Sequence, residues 1–132
     1  MCIFCKIASG EIPCYKIYED EDFLAFLDLS QATIGHTLVI SKKHYSNIFE
    51  LNEDTKIMEV VIKVAKALKE SLEIENINIL NNSGELAGQS VNHFHIHLIP
   101  RTKDDKIVFK FNENKLTKEE FQDLADKIKS KL

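Results

Sequence analysis

Residues 88–100 read Gly88-Gln89-Ser90-Val91-Asn92-His93-Phe94-His95-Ile96-His97-Leu98-Ile99-Pro100, and this stretch decides the fold. From His93 onward imidazole and apolar side chains alternate with period two, the period of a strand whose successive side chains point to opposite faces. Phe94, Ile96 and Leu98 then face a core, while His93, His95 and His97 share the other face. Same-face neighbours lie about 6.6–6.8 Å apart, which separates His93 from His97 by roughly 13 Å. This strand alone cannot gather its imidazoles around one small ion, although two of them together with His36 could. On the pattern alone a metal site and phosphate chemistry stand equally open.

Working outward from this strand, predicted over His93–Ile99, the same period marks Tyr15–Glu19, Phe23–Asp28, Thr37–Ser41 and Ile77–Leu80 as strands. Asp20-Glu21-Asp22 and the Ser30–Gly35 segment are the turns between the first three. Between Asn52 and Leu72 the period changes. Ile57, Val60, Val61, Val64, Leu68 and Leu72 recur at three and four, an amphipathic helix with Asn52 as its cap. Thr117-x-x-Glu120 is a capping box, and Phe121, Leu124, Ala125, Ile128 and Leu132 follow it on one helical face. The helix is predicted over about 117–131, its apolar stripe facing core. The fold class is therefore α+β, an antiparallel meander of about five strands with one main amphipathic helix and a C-terminal helix. No repeat, linker or low-complexity tract divides the 132 residues, so they read as a single domain with a core over 2–101 and a C-terminal extension.

Composition narrows the function classes. Hydrophobic residues at 44% and charged residues at 29% suit a globular protein rather than a disordered one. No apolar run approaches the roughly 18–20 residues of a membrane span. The start, MCIFCKIASGEIPC, lacks the basic opening and apolar stretch of a secretory signal, so a cytoplasmic location is expected. The formal net charge is −4, and no Lys/Arg stripe interleaved with aromatics supports nucleic-acid binding. Mild acidity leaves an anionic substrate open, because a pocket can present backbone N–H groups and imidazoles whatever the global charge.

Three cysteines, Cys2, Cys5 and Cys14, make no even disulfide framework, and Cys2 and Cys5 stand in metal-ligand spacing. His44 and His93 can complete a tetrahedral Cys2His2 set, which is a closed, structural type of zinc site. Cys14 is expected to have no role, and Lys42, Lys43 and Arg101 to be a solvated rim.

His93-Phe94-His95-Ile96-His97-Leu98-Ile99 resembles the signature of the histidine triad (HIT) family of nucleotide hydrolases and transferases. Cys2-Ile3-Phe4-Cys5-Lys6-Ile7, Ala25-Phe26-Leu27-Asp28, Gly35-His36-Thr37-Leu38-Val39-Ile40, Lys42-Lys43-His44 and Ala87-Gly88-Gln89-Ser90 resemble further family blocks, in family order. The resemblance is nearest to the Hint-like purine nucleoside phosphoramidases and their bacterial HIT relatives. It implies a HIT-like fold and two-step nucleotidyl transfer at an α-phosphorus, with His95 as the nucleophile. A neutral imidazole suits that task, since its phosphoramidate is reactive enough to be released again.

The resemblance further implies that His97 and His36 contact the phosphate and the bridging atom, and that Ser90 stands near the leaving group. Asp28 would accept hydrogen bonds from the ribose hydroxyls, Asn82 would donate to the phosphate, Gln89 sits in the same loop, and Leu29 would flank the base. A structural zinc on Cys2, Cys5, His44 and His93 and a homodimer are implied as well, without an organic cofactor. The expected substrate is a purine nucleoside phosphoramidate or a related adenylylated compound. The alternatives are a dinucleoside polyphosphate or a non-catalytic role in nucleotide binding. Two departures stand out. The chain has no tryptophan, where eukaryotic relatives end in a tryptophan-proline segment, and it continues instead through Lys103–Leu132. Ile34 and Ser41 stand where many relatives have proline.

Overall fold

The computed structural model describes residues 2–132. Helix α1 (Ile3–Ala8) precedes strands β1 (Lys16–Glu19), β2 (Phe23–Leu27) and β3 (Thr37–Ser41). Helix α2 (Ile57–Leu72) leads into β4 (Asn76–Leu80) and β5 (His95–Arg101), and α3 (Lys118–Lys129) follows. The five strands form one antiparallel sheet in the order β1-β2-β3-β5-β4. The first three strands are the expected meander. The excursion through α2 then leaves β4 at an edge and sets β5 between β3 and β4, so the histidine strand lies inside the sheet.

The alternation in β5 sorts its side chains as its period requires. Phe94, Ile96 and Leu98 join Phe23, Ala25 and Val39 on the face that α2 covers with Ile57, Val60, Val61, Val64 and Leu68. Each such side chain contributes about 1.5–3 kcal/mol on burial, so this layer dominates the stability of the sheet. On the opposite face Leu24, Phe26, Leu38 and Ile40 pack with Phe4 of α1. In the β3–β5 register Ile40 opposes His95 and Leu38 opposes His97, which puts both imidazoles on the α1 side.

Four expectations are corrected. Asn52 does not cap α2, because Asn52 to Thr55 closes a turn of its own, Thr55 N–H donating to the Asn52 carbonyl at 3.1 Å. The helix begins at Ile57 after Lys56, which makes no side-chain cap. His93 is not in the strand. Its N–H turns back to the Val91 carbonyl at 2.9 Å, and the ladder starts at His95. The α3 stripe is not core. The capping box forms with both of its hydrogen bonds, yet no α3 residue is buried, and Phe121, Leu124 and Ile128 are exposed. The physical reason is that α2 fills one face of the sheet and α1 lies on the other, so no apolar sheet face is left for α3. Arg101 is likewise more than a solvated rim residue, since it bonds Asp105, Asn78 and the Ile107 carbonyl.

Gly35 sets the entry to β3. Its φ of +95° is left-handed, and a Cβ there would run into the Leu72 side chain and come within 3.2 Å of Pro100. Only glycine is free of both penalties. The turn it makes, with His36 N–H donating to the Thr33 carbonyl at 3.1 Å, delivers His36 to the end of β3 beside β5.

Candidate functional site

A cavity of about 710 Å³ opens on the α1 side of the sheet. Asp28, Ser30, Ser90, His95 and His97 are its polar lining, and Ile3, Phe4, Ile7, Phe26 and Leu29 together with the Ile12–Tyr15 segment its apolar lining. A mostly apolar pocket with a few polar groups is the usual form of a small-molecule site.

Hydrogen bonds to the second ring nitrogen assign the histidine tautomers. His95 Nδ1–H donates to the His93 carbonyl at 2.7 Å, which leaves Nε2 with its lone pair. His36 is oriented the other way. The Ala32 N–H donates to His36 Nδ1 at 3.2 Å, so His36 carries its proton on Nε2 and donates it to His97 Nδ1 at 2.9 Å. His97 in turn carries its proton on Nε2. Among the described residues the chain Ala32 → His36 → His97 is therefore a one-way relay of donors that ends at the cavity. Asp28 stands beside it, its Oδ2 lying 3.6 Å from His36 Nε2 while its Oδ1 accepts the Ser30 N–H at 2.7 Å.

Burial favours the neutral form of His95 and His97. It pushes His95 below its ordinary pKa, with Asp28 and the bond to the His93 carbonyl opposing. Burial, then the neighbouring His95 and His36, lowers His97 to about 4. An unprotonated imidazole at neutral pH has the lone pair that attack on an electrophilic centre requires.

A second cluster lies behind α1. Cys2 Sγ, Cys5 Sγ, His44 Nδ1 and His93 Nδ1 lie within 4.8 Å of one another. The six distances between them run from 3.1 to 3.6 Å, so the four donors stand at the corners of a nearly regular tetrahedron. His93 is fully buried, and its Nε2–H donates to the Ser41 carbonyl at 2.7 Å, which turns the lone pair of Nδ1 toward the thiols. Two soft sulfurs, two imidazole nitrogens and a carbonyl behind one ring fit a tetrahedral metal ion.

The remaining residues singled out in the sequence divide. Leu29 and Ser90 line the cavity. The Gln89 amide ties its loop to the segment after β3, its Nε2 donating to the Ser46 and Val91 carbonyls and its Oε1 accepting the Gly84 N–H. Asn82 lies beside Gly88, and neither Asn82 nor Gln89 is among the cavity-lining residues. Cys14, expected to have no role, is half-buried in the cavity wall.

Several contributors gave no signal in the sequence. Asn81 Nδ2 donates to the His95 carbonyl at 2.9 Å and pins the start of β5. The Ala32 N–H and the Ser41 carbonyl act through the backbone, which no side-chain motif records. Phe4 meets the His95 ring edge-on with centroids 5.0 Å apart. The alternating Phe/His/Ile pattern gave no hint of an aromatic arriving from the other end of the chain.

A family model for the HIT domain matches residues 9–104. The chain belongs to the HIT family. It is 46% identical to Protein hit of Bacillus subtilis, with 99% of this chain and 94% of that one covered. It is 39% identical to adenosine 5′-monophosphoramidase hnt1 of Schizosaccharomyces pombe, with 99% and 98% covered. Among solved structures, a HIT family protein from Bacillus anthracis superposes with a TM-score of 0.91 at 49% identity, covering 99% of this chain and 96% of that one.

Proposed function

We propose that this HIT-family hydrolase cleaves purine nucleoside phosphoramidates or related adenylylated compounds through a covalent nucleotidyl-His95 intermediate. The observation that carries the reading is the His95 tautomer: with Nδ1–H held by the His93 carbonyl at 2.7 Å, the Nε2 lone pair is left for attack. The base would lie against the apolar lining formed by Phe26, Leu29 and α1, and the ribose hydroxyls would reach Asp28, a carboxylate able to accept both.

In the first step His95 Nε2 forms a bond to the α-phosphorus as the bond from phosphorus to the leaving nitrogen breaks. The leaving amine takes a proton from Ser90, whose hydroxyl acts as the acid by relaying one from solvent water, while His97 keeps its Nε2–H as a hydrogen-bond donor to the phosphoryl group. His36 keeps a donor on His97 Nδ1 throughout, which fixes the orientation of that ring. In the second step water attacks phosphorus, the bond to His95 breaks, and the water proton returns to solvent. The products are a nucleoside monophosphate and an amine. The His97 Nε2–H, which ends the relay at the cavity, would face the phosphoryl oxygens, where charge accumulates.

Zinc is proposed as a structural ion on Cys2, Cys5, His44 and His93. A regular tetrahedron with the observed edges has its centre about 2 Å from each corner, close to the usual Zn–N distance of about 2.0–2.1 Å and slightly short of Zn–S at about 2.3 Å. The ion would supply rigidity and no step of the reaction. The exposed apolar stripe of α3 supports a homodimer, and three free cysteines suit a reducing cytoplasm.

The test is AMP release from adenosine 5′-phosphoramidate by the wild type and by His95→Ala. Release that requires His95, with AMP binding retained in the variant, is the expected result. No release from folded, zinc-loaded wild-type protein would reject the phosphoramidate reading and direct the same assay to dinucleoside polyphosphates.

A further inference from the structure

Helix α1 touches both clusters of the site. Cys2, its cap, and Cys5, within its first turn, direct their thiols toward His44 and His93. Between them Phe4 is buried and meets three rings edge-on: Phe26 at 5.8 Å, His93 at 6.0 Å and His95 at 5.0 Å between centroids. Ile3 and Ile7 of the same helix face the cavity.

At six residues α1 is far too short to hold a helix by itself, since isolated helices below about 12–15 residues are marginal. Phe4 is its only buried residue, and it has no acidic residue in its first turn. Its position therefore depends on two attachments: the packing of Phe4, with Ile7 and Ala8 partly buried against the same core cluster, and the thiols on the His44–His93 side. An ion on the four donors would fix the second attachment. Without one, the thiols and imidazole nitrogens, 3.1–3.6 Å apart, hold the helix only through weak S–H···N hydrogen bonds.

We infer that metal occupancy of the Cys2–Cys5–His44–His93 cluster sets the affinity of the cavity for nucleotide, with α1 as the link and Phe4 as a positioning residue for the His95 ring. The inference rests on the readings of the cluster as a metal site and of the cavity as a nucleotide site. A ligand that binds only when α1 is seated must share its binding free energy with the ordering of that helix. Linkage then requires nucleotide to tighten metal binding by the same factor by which metal tightens nucleotide.

The experiment uses the full chain in both directions. AMP is titrated calorimetrically into zinc-loaded and chelator-stripped protein. Separately, zinc transfer to a chromogenic chelator is followed at equilibrium with and without saturating AMP. The expected result is AMP binding about tenfold tighter to the loaded form, with zinc retained about tenfold more strongly when AMP is present. The chelator direction stays informative even if the stripped chain unfolds. In Phe4→Leu, which keeps apolar volume and removes the aromatic edge, zinc stays stoichiometric and the coupling falls to roughly twofold. Equal AMP affinity in the two forms and unchanged zinc retention, with stoichiometric zinc in the loaded form, would overturn the coupling and leave both sites standing. Failure to take up zinc, or failure of the loaded chain to bind AMP, would overturn the coupling together with the site reading that failed.

Discussion

Two clusters in this molecule look alike when only ligand types and distances are considered. Cys2, Cys5, His44 and His93 form one, and Asp28, His36 and His97 the other; in each, the candidate ligand atoms lie within 4.8 Å of one another. The atom behind each ring separates them. A carbonyl stands behind His93 Nε2, so the nitrogen facing its cluster has a lone pair. An N–H stands behind His36 Nδ1, so the nitrogen facing its cluster has a proton. A metal ion needs lone pairs, and a hydrogen-bond relay needs alternating donors and acceptors. Seating a metal on His36 Nε2 would set two N–H groups against each other at Ala32. The backbone around each ring, rather than the ligand set, decides which chemistry a histidine cluster can perform.

The sharpest challenge to this division is His95→Ala, which should lower phosphoramidate hydrolysis on the order of 10³-fold or more. Metal content, measured by atomic absorption, should stay at the wild-type level. Next in size is His36→Ala, which removes the donor to His97 Nδ1 and should lower kcat by about 10²-fold. It too should leave metal content unchanged, and a loss of metal there would erase the distinction between the clusters. His44→Ala should do the reverse. Metal content should collapse and the calorimetric Tm should fall by about 10–15 °C, while kcat at saturating nucleotide should change less than tenfold.

The smallest effect concerns pH. His97 is held at about 4 in the folded chain against 6.5 for an unperturbed ring. Between those values the unfolded chain binds more protons than the folded one, so stability rises with pH across the window and declines as the pH falls from 6.5 toward 4. Urea denaturation midpoints at pH 7, 5.5 and 4.5 measure this, and His97→Asn should flatten the slope.

Much of this was legible in the sequence. The alternation from Phe94 to Leu98 correctly sorted core from site, and the three- and four-residue spacing of α2 gave its buried face. The cysteine spacing together with His44 and His93 named the four donors that the structure gathers. What stayed hidden is non-local. His93 leaves the strand because its ring reaches the Ser41 carbonyl at the end of β3, and strand periodicity carries no information about that neighbour. The apolar stripe of α3 promised burial that the sheet, already filled on both faces, had no room to provide. Tautomers depend on the backbone groups of Ala32, Ser41 and His93, which have no residue code at all. Gln89 matched a family block by type, and the contact its amide makes with the Ser46 carbonyl, 43 residues away, is a long-range one that the block does not record.

The Cys2–His93 contact joins residues 91 positions apart, and Cys5–His93 joins residues 88 apart. The thiols leave the ribosome first, whereas His93, the last of the four donors, arrives immediately ahead of β5. Until β5 inserts between β3 and β4, the thiols and His44 lack their fourth donor, and the sheet lacks the strand that joins β3 to β4. Closing so long a loop is slow, because its entropy is lost before the contacts form. Assembly of the cluster, the pocket and the sheet thus converges on a single late event, and a growing chain acquires all three together.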